Sequence, residues 1–120
     1  MNQKRVVIAE DDLDLLATCT VVLESQGYDV AAASNGRKAL ELIADKEPDL
    51  LITDLDMPEM NGYELINEVG RRNYDFPVII NSGHAFKPDL IKYNGSVKYF
   101  DKNTPFDIIT KAVKHLVSTG

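Results

Sequence analysis

Five short apolar segments, separated by stretches with a helical or loop-like pattern, constrain the fold of this chain more than any other feature. They span residues 6–9, 30–33, 50–53, 78–80 and 97–100. Their apolar side chains do not alternate with polar ones, which is the pattern of strands covered on both faces. Such strands, alternating with helices along the chain, predict a parallel sheet with helices on both sides.

The segments between these strands predict the helices. Apolar residues at helical spacing mark helices within residues 15–23, 39–43, 65–69 and 108–117, and a weaker pattern marks a short helix over 89–93. The first helix is expected to end near Gly27 and the second before Pro48. Since the chain has 120 residues and 44% of them are hydrophobic, we predict one domain over residues 1–120.

The charge of the chain is acidic, with 13 Lys and Arg against 19 Asp and Glu and a formal net charge of −6. An acidic domain repels phosphate backbones and anionic lipid, so direct nucleic-acid binding is not expected. The first apolar run is too short for a signal peptide, and no segment approaches the roughly 18 apolar residues of a membrane helix. We therefore expect a cytoplasmic protein without membrane insertion, and Cys19, the only cysteine, as a core residue.

Reactive polar residues follow four of the five predicted strands. They are Glu10, Asp11 and Asp12 after the first strand, Asp54 and Asp56 after the third, Asn81 and Ser82 after the fourth, and Asp101 and Lys102 after the fifth. Right-handed crossovers bring the carboxyl ends of parallel strands to one edge of the sheet, where α/β folds bind their ligands. The sequence thus predicts one site that combines carboxylates, a hydroxyl and an ammonium group.

Carboxylates gathered at this edge repel one another, by about 4 kcal/mol for two charges ~4 Å apart at an effective dielectric of about 20. A bound cation relieves this repulsion, and oxygen ligands without imidazole or thiolate favour Mg²⁺, which Mn²⁺ can replace. Beside such an ion, a carboxylate can attack phosphorus and form an acyl phosphate. Lys102 could then neutralise one phosphoryl oxygen, and Ser82 could hydrogen-bond another.

These residues lie in motifs that resemble the response-regulator receiver domain of two-component signalling. The motifs are Val7-Ile8-Ala9-Glu10-Asp11, Leu51-Ile52-Thr53-Asp54-Leu55-Asp56-Met57-Pro58 with Asn61-Gly62, then Ser82, and Tyr99-Phe100-Asp101-Lys102. The similarity runs from the first strand to the last helix, and the block around Asp54 is its most specific part. It implies a doubly wound (βα)5 fold, in which three layers (α/β/α) surround a five-stranded parallel sheet of flavodoxin-like order 2-1-3-4-5.

The resemblance also implies roles for the acidic residues. Asp54 resembles the phosphoacceptor, which in the family is also a metal ligand. Glu10 and Asp11 resemble the acidic pair that holds Mg²⁺, and Asp56 resembles the residue that offers its backbone carbonyl to the ion. The phosphoryl donor would be a histidine kinase or a histidine phosphotransfer protein. The domain would assist its own phosphorylation and dephosphorylation, and would not be a turnover enzyme acting on other molecules.

Further residues resemble the family's phosphate-contacting and switch positions. Ser82 and Lys102 resemble the residues that contact the phosphate. Ser82 and Tyr99 resemble the switch pair, in which the hydroxyl moves to the phosphoryl group and the aromatic ring follows. His84, together with Asp56, resembles the positions that influence how fast the acyl phosphate hydrolyses. The residues alone also allow Tyr99 as a core aromatic and His84 as an exposed loop residue.

Two features depart from the family pattern. The family usually has proline directly after the lysine, whereas this chain has Asn103 and Thr104 before Pro105, so the turn behind Lys102 is expected to differ. The stretch over residues 82–95 is short for the family and contains few helix formers. The helix before the fifth strand is therefore expected to be a stub or irregular, which leaves the mode of partner binding and the downstream effector open.

Other functions fit parts of the same pattern. A receiver-like module could signal by binding alone, without phosphorylation. The run Asp54-Leu55-Asp56 resembles the motif of haloacid-dehalogenase-type phosphatases, although Met57 stands where those enzymes normally have Thr or Val. A flavodoxin-like electron carrier is compatible with the fold alone. Its cofactor site does not fit, because the acidic loop after the first strand would repel a flavin phosphate.

Overall fold

The computed structural model describes residues 3–118 and contains one five-stranded parallel sheet. The strands are β1 (Arg5–Ala9), β2 (Asp29–Ala33), β3 (Leu50–Thr53), β4 (Val78–Ser82) and β5 (Val97–Asp101). The described residues form four α-helices, α1 (Leu13–Ser25), α2 (Gly36–Asp45), α3 (Gly62–Arg71) and α4 (Phe106–Ser118). The strand order is β2-β1-β3-β4-β5, which confirms the predicted 2-1-3-4-5 sheet. No helix within residues 3–118 is long and apolar enough to cross a membrane.

Two apolar clusters, one on each face of the sheet, form the core. The cluster that includes α2 and α3 contains Val7, Leu51 and Ile80, whereas the cluster that includes α1 and α4 contains Ile8 and Ile79 among others. Neighbouring residues of one strand thus enter opposite clusters, as the alternation of side chains along a strand requires. The three inner strands are almost entirely buried, and only β2 and β5 at the edges are partly exposed.

The ends of α1 show why the sequence folds locally in this way. Asp12 is the N-cap of α1, and its Oδ1 accepts hydrogen bonds from the N–H groups of Asp14 and Leu15. After the helix, Gly27 has a φ of 95°, a backbone conformation that residues other than glycine rarely adopt. Asp12 is thereby engaged as a helix cap rather than as a ligand.

The connection between β4 and β5 is irregular, as expected from its few helix formers. The α-helical pattern over residues 89–93 does not form a helix there, and this stretch contains only a 3₁₀ turn at Pro88–Leu90. Pro88 can begin a helical turn, but Asn94 and Gly95 follow within seven residues and do not favour helix propagation. We call residues 83–96 the β4–β5 connection.

Side chains hold the β4–β5 connection against α3 in place of a packed helix. Asn67 donates through Nδ2 to the carbonyl of Leu90 at 2.9 Å and accepts the N–H of Lys92 at 2.7 Å. Tyr63 accepts the N–H of Lys87 at 3.0 Å through its hydroxyl oxygen. Tyr93 donates its hydroxyl to the carbonyl of Phe76 at 2.5 Å. The connection therefore has a defined path although it has almost no regular structure.

Candidate functional site

The acidic side chains at the site are positioned by the ends of β1 and β3. Strand β1 lies between β2 and β3, so its end is bonded on both sides. The N–H of Glu10 donates to the carbonyl of Ala33 at 3.0 Å, and the N–H of Asp54 donates to the carbonyl of Ala9 at 3.0 Å. Because these backbone bonds extend the sheet by one residue, Glu10 and Asp54 stand side by side at its carboxyl edge. Both residues are buried, at 5% and 8% exposure.

The Asp54 carboxylate is held by both of its oxygen atoms. Its Oδ1 accepts the N–H of Leu55 at 2.6 Å and lies 3.3 Å from the N–H of Asp56. Its Oδ2 lies 3.2 Å from Nζ of Lys102. Gly62 begins α3 directly behind this loop, where a Cβ would lie 2.1 Å from the carbonyl oxygen of Asp54. Glycine at this position therefore lets α3 approach the end of β3 closely.

Lys102 joins the two buried carboxylates. Its Nζ forms a short ion pair with Oε1 of Glu10 in addition to its contact with Asp54. Burial alone would lower the pKa of the Lys102 ammonium, but the hydrogen bond and charge of Glu10, with Asp54, outweigh burial and raise this pKa. For the Glu10 carboxyl, burial has the opposite effect and raises the pKa, although the hydrogen bond and charge of Lys102 oppose this shift. Lys102 is therefore a permanent cation among these carboxylates.

The turn after β5 aims Lys102 at the pocket without a following proline. The N–H of Lys102 donates to the carbonyl of Ser82 at 3.1 Å, which keeps the lysine beside the end of β4. Asp101 closes the turn, since its Oδ1 accepts the N–H of Asn103 at 2.8 Å and its carbonyl accepts the N–H of Thr104 at 2.9 Å.

Asp11 completes an acidic group that fits a cation. One ligand oxygen from each of Glu10, Asp11 and Asp54 lies within 4.8 Å of the others. Asp11 is exposed, whereas the other two are buried. Three carboxylate oxygens at this spacing suit a hard divalent ion with a partly hydrated shell. The donor set therefore fits the metal that the sequence predicts, and Mg²⁺ itself stays a prediction.

The predicted switch residues lie in one hydrogen-bonded group at the end of β4. Ser82 is fully buried, and its Oγ accepts the N–H of His84 at 3.1 Å. Tyr99 donates its hydroxyl to the carbonyl of His84 at 3.1 Å and lies 3.4 Å from the carbonyl of Ser82. The ring of Tyr99 stacks on Phe86, which in turn stacks on Tyr63. Tyr99 is thus partly buried and tied to the backbone that carries Ser82.

Asp56 and His84, the predicted tuning residues, meet at the rim of the pocket. Nε2 of His84 lies 3.4 Å from Oδ2 of Asp56, and both side chains are largely exposed, at 68% and 76%. An exposed pair of this kind contributes little to stability. The contact places both side chains at the mouth of the pocket, beside the loop that follows Asp54.

Sequence reasoning gave no role to several residues that shape this region. Asn81 stands beside Ser82 and is buried at 8% exposure. Its position at a strand end was visible in the sequence, but the lack of a hydrogen-bond donor to its Oδ1 among residues 3–118 was not. Tyr63, Asn67 and Tyr93 hold the β4–β5 connection through contacts with residues 17 to 25 positions away. No local sequence signal predicts such contacts.

Comparisons with known proteins agree with the fold. Residues 6–114 match the family model of the response regulator receiver domain, and this chain therefore belongs to that family. The response regulator SaeR of Staphylococcus aureus is 30% identical over 86 residues, which are 72% of this chain and 37% of that protein. The chain thus spans little more than a third of this curated relative. Receiver domains are signalling domains that accept phosphoryl groups in two-component systems, and the phosphatase alternative is not favoured.

Solved structures show the same architecture over nearly the whole chain. The receiver domain of the Francisella response regulator 1452 is 28% identical, with a TM-score of 0.88 and 98% of each chain covered. The response regulator TrrA of Thermotoga maritima, solved in complex with Mg²⁺-BeF, is 27% identical, with a TM-score of 0.84 and coverage of 95% of this chain and 99% of that chain. These similarities support a receiver fold and do not assign roles to individual residues of this chain.

Proposed function

We propose that Asp54 is the phosphoacceptor of this receiver domain. The observation that carries the proposal is the arrangement of its carboxylate, with backbone N–H groups on Oδ1 and the Lys102 ammonium at Oδ2. Because these donors are fixed before any reaction, the nucleophile is oriented without further cost. The donor would be a phosphohistidine of a histidine kinase or of a histidine phosphotransfer protein.

In the transfer, an oxygen of Asp54 forms a bond to phosphorus while the bond between phosphorus and the donor imidazole nitrogen breaks. The bonding electrons stay on that nitrogen, and the donor leaves as a neutral imidazole when its other ring nitrogen already carries a proton. Lys102 lies where charge develops on the phosphoryl oxygens and can neutralise it. Glu10, Asp11 and Asp54, with the backbone carbonyl of Asp56, would hold Mg²⁺ or Mn²⁺. When bound, the ion supplies positive charge that offsets the repulsion between the carboxylate and the incoming phosphoryl group.

The signal would leave the pocket through Ser82 and Tyr99. In this structure Ser82 Oγ accepts a hydrogen bond from the backbone N–H of His84. After phosphorylation, the Ser82 hydroxyl can donate its proton to a charged phosphoryl oxygen, and hydrogen bonds to charged acceptors are stronger than those to neutral ones. A move of Ser82 toward that oxygen would alter the backbone at His84, to which the Tyr99 hydroxyl is bonded. The phosphorylated state would then be favoured by the bonds that it alone contains.

Asp56 and His84, which meet at the pocket mouth, would tune the access of water to the acyl phosphate and so the rate at which the domain resets. The whole protein's donor, effector and cytoplasmic location belong to the same proposal, as does a single domain over residues 1–120. The alternative of a module that signals without phosphorylation lacks a specific observation in its favour, and the contact of Lys102 with Glu10 and Asp54 supports the phosphoacceptor proposal instead.

A small acyl-phosphate donor tests the acceptor directly. We expect wild-type protein to gain one phosphoryl group by intact mass in the presence of Mg²⁺, and Asp54→Asn to gain none. Ser82→Ala should still gain the group, but the shift of the Tyr99 ring resonances on phosphorylation should shrink. Equal phosphorylation of wild type and Asp54→Asn would refute the acceptor, and an undiminished Tyr99 shift would refute the switch.

A further inference from the structure

Asn81 carries a buried hydrogen-bond acceptor that the pocket described above does not use. Its Oδ1 is buried and receives no hydrogen bond from residues 3–118. The residue as a whole is only 8% exposed. A buried polar atom without a partner destabilises a protein, and native structures contain few of them. Its presence beside a reactive pocket therefore calls for a functional reason.

The strand register places Asn81 next to Asp54. Ile52 pairs with Ile79 and Thr53 with Ile80 across β3 and β4, so the following residues, Asp54 and Asn81, come next in the same register. Side chains at matching positions of a parallel sheet project from the same face, with strands about 4.8 Å apart. By the same argument across β1 and β3, Glu10, Asp54 and Asn81 form one row across the sheet edge.

Lys102 crosses this row on the face that carries Asn81. Its backbone N–H is bonded to the carbonyl of Ser82 on β4, while its Nζ contacts Asp54 and, beyond it, Glu10 on β1. Since β4 lies between β5 and β3, the lysine stem passes over β4 to reach its two carboxylates. Asn81 is the β4 residue of the row, so its side chain projects from the sheet face across which the lysine reaches.

We propose that Asn81 is a positioning residue for Lys102, with Oδ1 as the acceptor for the lysine ammonium in the phosphorylated state. In the resting state the ammonium is drawn to Glu10, two strands from β4. Phosphorylation adds anionic oxygens at Asp54, one strand from β4, and moves the ammonium toward Asn81. An ammonium has three N–H donors, and the third then bonds Oδ1. The inference rests on the proposed phosphoacceptor role of Asp54.

The test uses Asn81→Leu, which keeps the size of the side chain and removes the amide. Beryllofluoride with Mg²⁺ serves as the phosphoryl mimic, and its affinity is measured by NMR titration. We expect binding to weaken about tenfold, since a hydrogen bond to a charged group is lost. In the Lys102→Met background the same substitution should weaken binding no further. Without Mg²⁺, Asn81→Leu should raise the unfolding midpoint by roughly 4 °C, because the unpaired acceptor is gone.

Two results would overturn the inference: wild-type affinity in Asn81→Leu, or an equal loss with and without Lys102. Asn81→Ala, measured in the same way, replaces Asn81→Leu if that variant does not fold. If wild type itself fails to bind the mimic, the proposed function of Asp54 fails as well. Binding by wild type with unchanged binding by both Asn81 variants overturns only the role of Asn81.

Discussion

The pocket at the sheet edge and the β4–β5 connection are neighbours, yet they are built in different ways. In the pocket, Glu10 and Asp54 continue two inner strands, and backbone bonds to those strands set their positions. In the connection, Asn67 reaches from α3 to an irregular backbone, and Tyr93 bonds outward from the connection to the carbonyl of Phe76. The pocket therefore takes its geometry from the sheet, whereas the connection takes its path from a few separate contacts.

This difference suggests a division of tasks. Phosphoryl transfer requires groups that are placed to within a fraction of an ångström before reaction, and the inner strands supply that rigidity. A switch requires a segment with two arrangements of similar free energy. The β4–β5 connection begins directly after the predicted switch residue Ser82 and ends before β5. It is held by a few separate side-chain bonds, so it can open at a lower free-energy cost than the inner strands.

Two glycines give the largest expected contrast in stability. A Cβ on Gly62 would lie 2.1 Å from the Asp54 carbonyl oxygen, and one on Gly70 would lie 2.7 Å from the Lys92 carbonyl oxygen. We expect Gly62→Ala to lower the free energy of unfolding by about 3 kcal/mol, because the rigid loop after β3 cannot move aside. Gly70→Ala should change it by less than about 1 kcal/mol, because the connection can shift and alanine favours the helix. Urea unfolding of both variants measures the difference, and equal losses would mean that the connection is as rigid as the pocket.

The reactivity of Cys19, a buried residue of α1, measures how closely α1 packs over the sheet near Glu10. Burial, with the charge of Glu10 beside it, raises the pKa of the Cys19 thiol to about 11. Since a raised pKa keeps the thiol protonated at pH 8, the native protein should react with iodoacetamide at least about 100-fold more slowly than unfolded protein. The control is Cys19→Ser with Ala85→Cys, which moves the only thiol to an exposed position of the β4–β5 connection and should react quickly. Fast reaction of native Cys19 would show that α1 separates readily from the sheet.

Asn67 gives the smallest of the expected effects. Asn67→Ala removes the two bonds that Asn67 makes to the connection, for a net cost of about 1 kcal/mol. Exchange of the Lys92 amide, which donates to Asn67 Oδ1, should accelerate about tenfold, while the Leu55 amide in the pocket should be unaffected. Asn94→Ala, in the same connection, is the control. Accelerated exchange at Leu55 to the same extent would contradict the separation of the two regions.

The sequence predicted the sheet and the pocket because both follow from local patterns and one rule of topology. Uninterrupted apolar runs marked the strands, and parallel strands bring the residues after them to one edge. Glu10, Asp54 and Lys102 therefore came together as expected, although 92 residues separate the first from the last. Cys19 is likewise confirmed as a buried residue.

The irregular nature of the β4–β5 connection was expected from its few helix formers, but its path could not be predicted in this way. Its weak helical pattern over residues 89–93 competes with Gly95 and with bonds from Tyr63, Asn67 and Tyr93, and none of these appears as a local signal. The unpaired state of Asn81 Oδ1 also depends on which donors surround it in three dimensions. Both features depend on which groups far apart in the chain come together, and the periodicity of the sequence does not encode this.

Mapping the modified residue tests the central claim most directly. Protein treated with an acyl-phosphate donor and Mg²⁺ is reduced with borohydride, which converts an aspartyl phosphate into homoserine, and the peptides are sequenced by mass spectrometry. We predict homoserine at position 54 and nowhere else, with none formed when Mg²⁺ is chelated. Homoserine at position 11, 12 or 56 with an unmodified Asp54 would contradict the account.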